Sequence, residues 1–294
     1  MTDLEIHQPD TLDEALELLS RLGEDVKVIA GGTAMVLMLK TGLIAPESMV
    51  SLARIEGLDG IEHEQGDGLT IGALATLRDG EMSPLVRRVN PVLAKTLGTV
   101  ANVRVRNAAT LGGNLAEADY ASDPPATLLA MRAVVVARSV RGEREIPLTD
   151  FFRDFYETAL EPDEIITQVR VPELSETTRC AYLKYVTRSS EDRPCVGVST
   201  VVEMAGDDDG TCQDLRVVVG AVAATPQEVP SAEALATGKR LDEELINDIA
   251  EAYGSAIDPL DDLRGSKWYR QRVISVFVRR SIETALRESR EEPA

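Results

Sequence analysis

The apolar run Val26-Lys27-Val28-Ile29-Ala30 meets the glycine pair Gly31-Gly32 with nothing between them, and residues 33–40 then take up a helical pattern. Four of those five residues are apolar and three are β-branched, the composition of a short buried strand. A strand that turns through two glycines into a helix can bring backbone N–H groups close to a ligand, because no Cβ stands in the way. The start of the following helix adds partial positive charge at the same place. A second pair, in Ala109-Thr110-Leu111-Gly112-Gly113-Asn114, reads as another glycine turn and leads into a polar, acidic loop.

The remaining periodicity is mixed. Residues 11–22 form an amphipathic helix with Thr11-x-x-Glu14 as a capping box and Gly23 as its stop. Strands are expected at 48–52, 69–73, 133–137 and 165–171, and helices over 85–99, broken at Pro91, and over 124–131. Beyond a Glu-, Ser- and Thr-rich run at 173–179, strand patterns at 181–186, 195–204 and 215–223 suggest an antiparallel meander, the last two joined by the loop 205–210. Helices at 242–253 and 267–286 would cover it, and 287–294 reads as a charged tail. The fold class is therefore α+β, with a boundary near residue 175 and room in 294 residues for about two domains.

Charge narrows the partners. The chain has 31 Lys plus Arg against 50 Asp plus Glu, a net charge of −19, so its surface repels phosphate backbones and anionic membranes. Nucleic acid is not an expected partner, and no run is long and apolar enough to predict a membrane span. Three scattered cysteines, Cys180, Cys195 and Cys212, fit neither a disulfide framework nor a metal knuckle, and the start of the chain lacks a signal-peptide pattern; both point to the cytoplasm.

Catalytic chemistry of the chain's own is not apparent. The two histidines, His7 and His63, have neither metal spacing nor an evident nucleophile partner, so no catalytic residue and no metal ligand is assigned. Neither glycine pair has the G-x-G-x-x-G spacing of a dinucleotide fingerprint or the Gly-Lys-Ser/Thr of a P-loop. A reactive group borrowed from a cofactor is the simplest source of function.

Three motifs at these separations, Ala30-Gly31-Gly32-Thr33, Thr110-Leu111-Gly112-Gly113-Asn114-Leu115 and Ala118-Asp119-Tyr120-Ala121-Ser122-Asp123, resemble the FAD-binding medium subunit of the molybdenum hydroxylases. This is the flavoprotein subunit of aerobic carbon monoxide dehydrogenase and of bacterial xanthine dehydrogenase. The resemblance runs from near residue 5 to near 285 and takes in 158–166 and Lys184-x-x-x-Arg188-x-x-x-Asp192. It implies a two-subdomain FAD-binding fold of the vanillyl-alcohol-oxidase or PCMH type over 1–175, divided near residue 55. A smaller C-terminal domain of antiparallel sheet and helices follows over 176–290.

By the same resemblance, FAD is bound by Ala30, Gly31, Gly32, Thr33 and Ala34 at the pyrophosphate. Thr110, Leu111, Gly112, Gly113 and Asn114 form the second wall of the cleft, and Asp119, Asp123, Ile166 and Lys184 complete the site. Read without it, Asp119 and Asp123 are turn or cap residues, Ile166 is core, and Lys184 is a strand lysine reaching solvent. Tyr120 and Glu117 depart from the family pattern, in which proline and histidine or a small residue are usual at those places. The implied function is electron transfer within an oxidoreductase complex, a dimer of three-subunit units. FAD on this chain takes electrons from a [2Fe–2S] small subunit and passes them to NAD or a quinone, while a large subunit carries molybdopterin. A stand-alone flavin oxidoreductase and a non-redox nucleotide-binding scaffold are the alternatives.

Overall fold

The computed structural model describes residues 4–206 and 210–288. Residues 1–3, 207–209 within the expected loop and 289–294 of the expected tail lie outside the described residues.

The N-terminal layer consists of β1 (Glu5–His7), α1 (Leu12–Leu22), β2 (Val26–Ile29), α2 (Met35–Thr41) and β3 (Ser48–Ser51). Its three strands pair in parallel in the order β1-β3-β2, with Val28 opposite Val50. Parallel neighbours need crossover connections, which the two helices supply. Ala15, Leu16 and Leu19 of α1 bury one helical face against Val26, Val50 and Leu52. The Thr11 hydroxyl accepts from the Glu14 N–H at 3.2 Å, but the Glu14 carboxylate reaches back to the Asp10 N–H rather than to Thr11. Gly23 stops α1 at φ +74°.

The second layer begins with β4 (Ile61–Glu64) and β5 (Gly68–Gly72) and continues through helices α3 (Leu77–Met82), α4 (Pro84–Val89), α5 (Pro91–Gly98), α6 (Val103–Arg106), α7 (Leu111–Glu117) and α8 (Pro124–Ala130). It ends with β6 (Val134–Ser139), β7 (Gly142–Pro147), α9 (Leu148–Phe151), β8 (Phe152–Asp154), β9 (Glu157–Thr158) and β10 (Ile165–Val171). Its main sheet has the order β4-β5-β10-β6-β7 and is antiparallel throughout. Leu69, Ile71, Val135, Val169, Leu93, Leu97, Leu111 and Leu128 build its core.

The C-terminal part contains β11 (Thr178–Tyr185), β12 (Val196–Met204), β13 (Thr211–Gly220), α10 (Pro230–Glu233), β14 (Lys239–Arg240), α11 (Glu243–Ala256) and α12 (Lys267–Glu288). The expected meander is present as an antiparallel sheet in the order β11-β12-β13-β14. Side chains on successive strand residues face opposite ways, so each strand serves two cores. Val217 and Val219 join Ile249, Tyr253 and Ile274 beneath α11 and α12, while Val218, Val201 and Tyr182 pack into the core of the second layer. The two parts thus share an apolar seam, and it places β11 beside the loop before α8.

The second glycine pair differs from its expected form. Gly112 and Gly113 lie in the first turn of α7, and Thr110 is the N-cap, its hydroxyl accepting from the Gly113 N–H at 3.1 Å. The Gly112 N–H donates to the Ala73 carbonyl at 2.9 Å, and a Cβ on Gly112 would stand 2.6 Å from the Ala73 Cβ. Close helix packing, rather than a turn, requires glycine there.

Candidate functional site

A cleft of about 600 Å³ opens where the three parts of the chain meet. Thr33, Ala34 and Leu37 form its first wall, Asn114 and residues 119–123 the second, and Lys184, Arg193 and residues 262–264 the third.

The first wall follows from the glycine pair. Gly31 passes so close to the next layer that a Cβ would lie 1.7 Å from the Ala108 carbonyl oxygen. Gly32 then takes φ +69°, the left-handed region that glycine adopts at little cost. The N–H groups of Gly31, Gly32, Thr33 and Ala34 have no acceptor among the described residues, and they sit at the start of α2. Unspent donors at a helix start suit an anion.

The second wall is not a row of donors. The N–H groups of Leu111, Gly112, Gly113 and Asn114 are spent on Ala75, Ala73, Thr110 and the Thr110 carbonyl. Leu111 is buried in the core, and Gly113 stands across from the Ala30 Cβ, 3.9 Å from the position of its own absent Cβ. Asn114 is the member that lines the cleft, and its side-chain amide donates to the Ser122 hydroxyl at 2.8 Å. Ile166 pairs with Ala137 within β10 and β6 and is buried among core side chains. It does not line the cleft, because strand alternation points it into the sheet's packed face.

The acidic loop and β11 hold the charged centre. Lys184 Nζ donates to Asp123 Oδ2 at 3.0 Å and to the Thr99 carbonyl at 2.8 Å, while the Tyr182 hydroxyl donates to Asp123 Oδ1 at 2.5 Å. Burial pushes the Asp123 carboxyl up from the ordinary carboxylate range, while the Lys184 charge and the Tyr182 hydrogen bond pull it back. Asp119 pairs with Arg193 at 2.5 Å and accepts the Ala121 N–H at 3.1 Å. Glu117 receives less: its nearest cation is Arg193 at 4.0 Å, and its Oε1 is buried without a hydrogen bond. Burial first, and then the Asp119 charge, push Glu117 up to about 7.

Tyr182, Glu117 and Arg193 were not singled out as site residues from sequence. Tyr182 alternates with Lys184 two residues on, and that spacing is the one signal pointing both toward a single side of β11.

The comparisons agree with this architecture. The family described as the FAD binding domain in molybdopterin dehydrogenase matches residues 2–174, and the CO dehydrogenase flavoprotein C-terminal domain matches 181–285. The chain is 32% identical over 281 residues to the carbon monoxide dehydrogenase medium chain of Hydrogenophaga pseudoflava, covering 96% of each. It is 33% identical over 277 residues to the nicotine 6-hydroxylase medium subunit of Paenarthrobacter nicotinovorans, covering 94% of this chain and 95% of that one. A solved carbon monoxide dehydrogenase structure from Hydrogenophaga pseudoflava superposes with a TM-score of 0.92 at 34% identity, covering 96% and 97% of the two chains. Sequence, cleft and fold coincide: the chain belongs to the medium-subunit family of the molybdopterin dehydrogenases, oxidoreductase subunits built on an FAD-binding domain.

Proposed function

We propose that this chain passes electrons through FAD from a [2Fe–2S] partner subunit to an external acceptor, NAD or a quinone, in a cytoplasmic complex whose large subunit carries molybdopterin. The FAD-binding domain spans 1–175 in this reading, and 176–290 is the C-terminal domain. The four unspent N–H groups at 31–34, facing a cleft of about 600 Å³, carry the placement of FAD. A volume of that order is within the range of cofactor sites, and a diphosphate is the part of FAD that needs such donors.

Bound in the cleft, FAD supplies the redox chemistry. The chain positions it. Residues 31–34 would hold the diphosphate without a cluster of cations, which suits a protein with net charge −19. Asn114 and Ser122 present amide and hydroxyl groups from the second wall. Lys184 spends two of its three donors on Thr99 and Asp123, leaving one N–H to offer the cofactor. Because Asp123 balances its charge, Lys184 supplies a fixed dipole more than a bare cation.

Purification of the assembled complex tests the assignment. Visible absorbance that bleaches with substrate, returns with NAD or a quinone, and requires the large and small partners supports it. A chain that isolates alone and turns over its own substrate refutes it.

A further inference from the structure

Leu263 stands fully exposed, at 107% of its reference area, on a segment that is otherwise pinned. Its neighbour Asp262 accepts from the Tyr120 hydroxyl at 2.8 Å, from Arg264 Nη1 at 3.0 Å and from Arg270 Nη2 at 2.7 Å. Asp262 also accepts the Arg264 N–H at 2.7 Å and the Gly265 N–H at 3.3 Å. Arg264 donates to the Tyr120 hydroxyl at 2.7 Å, so the segment is tied to the acidic loop of the other domain.

Behind it, Arg270 is wholly buried, and its guanidinium donates to the carbonyls of Cys195, Leu260 and Gly265. Gly265 lies so near Cys195 that a Cβ would come within 2.8 Å of its sulfur. Both shoulders of Leu263 are therefore fixed, and Leu263 between them lines the cleft. A backbone already fixed where the side chain must act lowers the entropic cost of binding.

We propose that Leu263 is a cofactor contact supplied by the C-terminal domain, packing its methyl groups on a flat ring of FAD, isoalloxazine or adenine. The inference rests on FAD occupying this cleft. Leu37, 60% exposed on α2, lines the same cleft and offers a second apolar surface from the first wall.

The test uses the full chain loaded with FAD and follows release by the rise of flavin fluorescence after dilution. Leu263→Ala should speed release about fivefold to tenfold, the effect of truncating one apolar contact. Leu263→Met should release at close to the parent rate, and the melting temperature of the FAD-free chain should not move. Competition by ADP separates the two rings: weaker ADP binding in Leu263→Ala assigns adenine, and unchanged ADP binding with faster FAD release assigns isoalloxazine. Thr33→Trp, which fills the cleft from an exposed position, controls for the placement. If it abolishes flavin binding while Leu263→Ala releases FAD at the parent rate, the Leu263 contact is refuted and the cleft stands. If Thr33→Trp retains full flavin, the cleft assignment falls and takes the inference with it.

Discussion

Lys184 and Asp123 meet at 3.0 Å with only 8% and 4% of their side chains exposed, and the Tyr182 hydroxyl closes the other side of the carboxylate. A pair this deeply placed costs more to break than to remove, because one partner alone is an uncompensated buried charge.

Lys184→Met should therefore destabilise the FAD-free chain by about 3–5 kcal/mol, and adding Asp123→Asn should recover most of the loss. Urea denaturation of both variants measures this. A single variant as stable as the parent would show that Asp123 is not held as an anion by Lys184. Any change in flavin potential on substituting Lys184 has to be read against this loss.

The first glycine pair yields an ordered prediction. Gly31→Ala puts a carbon 1.7 Å from the Ala108 carbonyl oxygen, a backbone atom that cannot swing aside, and should prevent folding or flavin loading altogether. Gly32→Ala meets the side chains of Ile29 at 3.3 Å and Val36 at 3.4 Å and pays about 1–2 kcal/mol for its left-handed backbone. Flavin per chain and melting temperature, measured together, should rank the parent above Gly32→Ala and Gly32→Ala above Gly31→Ala.

Glu117 gives a pH dependence with a definite sign. Its carboxyl rises from an ordinary value of 4.5 to about 7 on folding, driven by burial and then by Asp119, with Arg193 opposing. The folded chain thus binds the extra proton, and stability is intact below about pH 4.5, falls as pH rises toward 7 and stays lower above it. Glu117→Gln should match the parent near pH 4.5 and exceed it by about 1–3 kcal/mol at pH 8. Denaturation midpoints across this range that run parallel in the two proteins would contradict it.

Arg270→Lys should behave as a severe change. An ammonium cannot reproduce the four-acceptor array of the buried guanidinium, and the loss should be about 3 kcal/mol or more. The remaining segment should also loosen, which proteolysis between Pro259 and Lys267 can detect.

Much of this fold was legible because its strands and helices carry their own periodicity. β10 falls at the predicted residues 165–171, and Pro91 divides α4 from α5 as expected. β7, with the sequence Gly-Glu-Arg-Glu-Ile-Pro, shows little apolar alternation because it is a mostly exposed edge strand, and it escaped notice. The second glycine pair misled for a physical reason: glycines needed for close packing inside a helix look like glycines needed for a turn. Ile166 entered the site through the family resemblance alone; the strand pattern by itself reads it as core, and it is buried there. The pairing of Tyr120 with Asp262 spans 142 positions and has no local signature at all.

The approach of Gly31 to the Ala108 carbonyl oxygen leaves the seam between the first two layers no room for a side chain at that point. Enlargement at 31 would pry the layers apart, and no change of side chain at 108 could relieve it, because the obstacle is main chain. Across descendants of this gene, position 31 should therefore stay glycine whatever stands at 108, a historical record of how narrow that joint has had to stay.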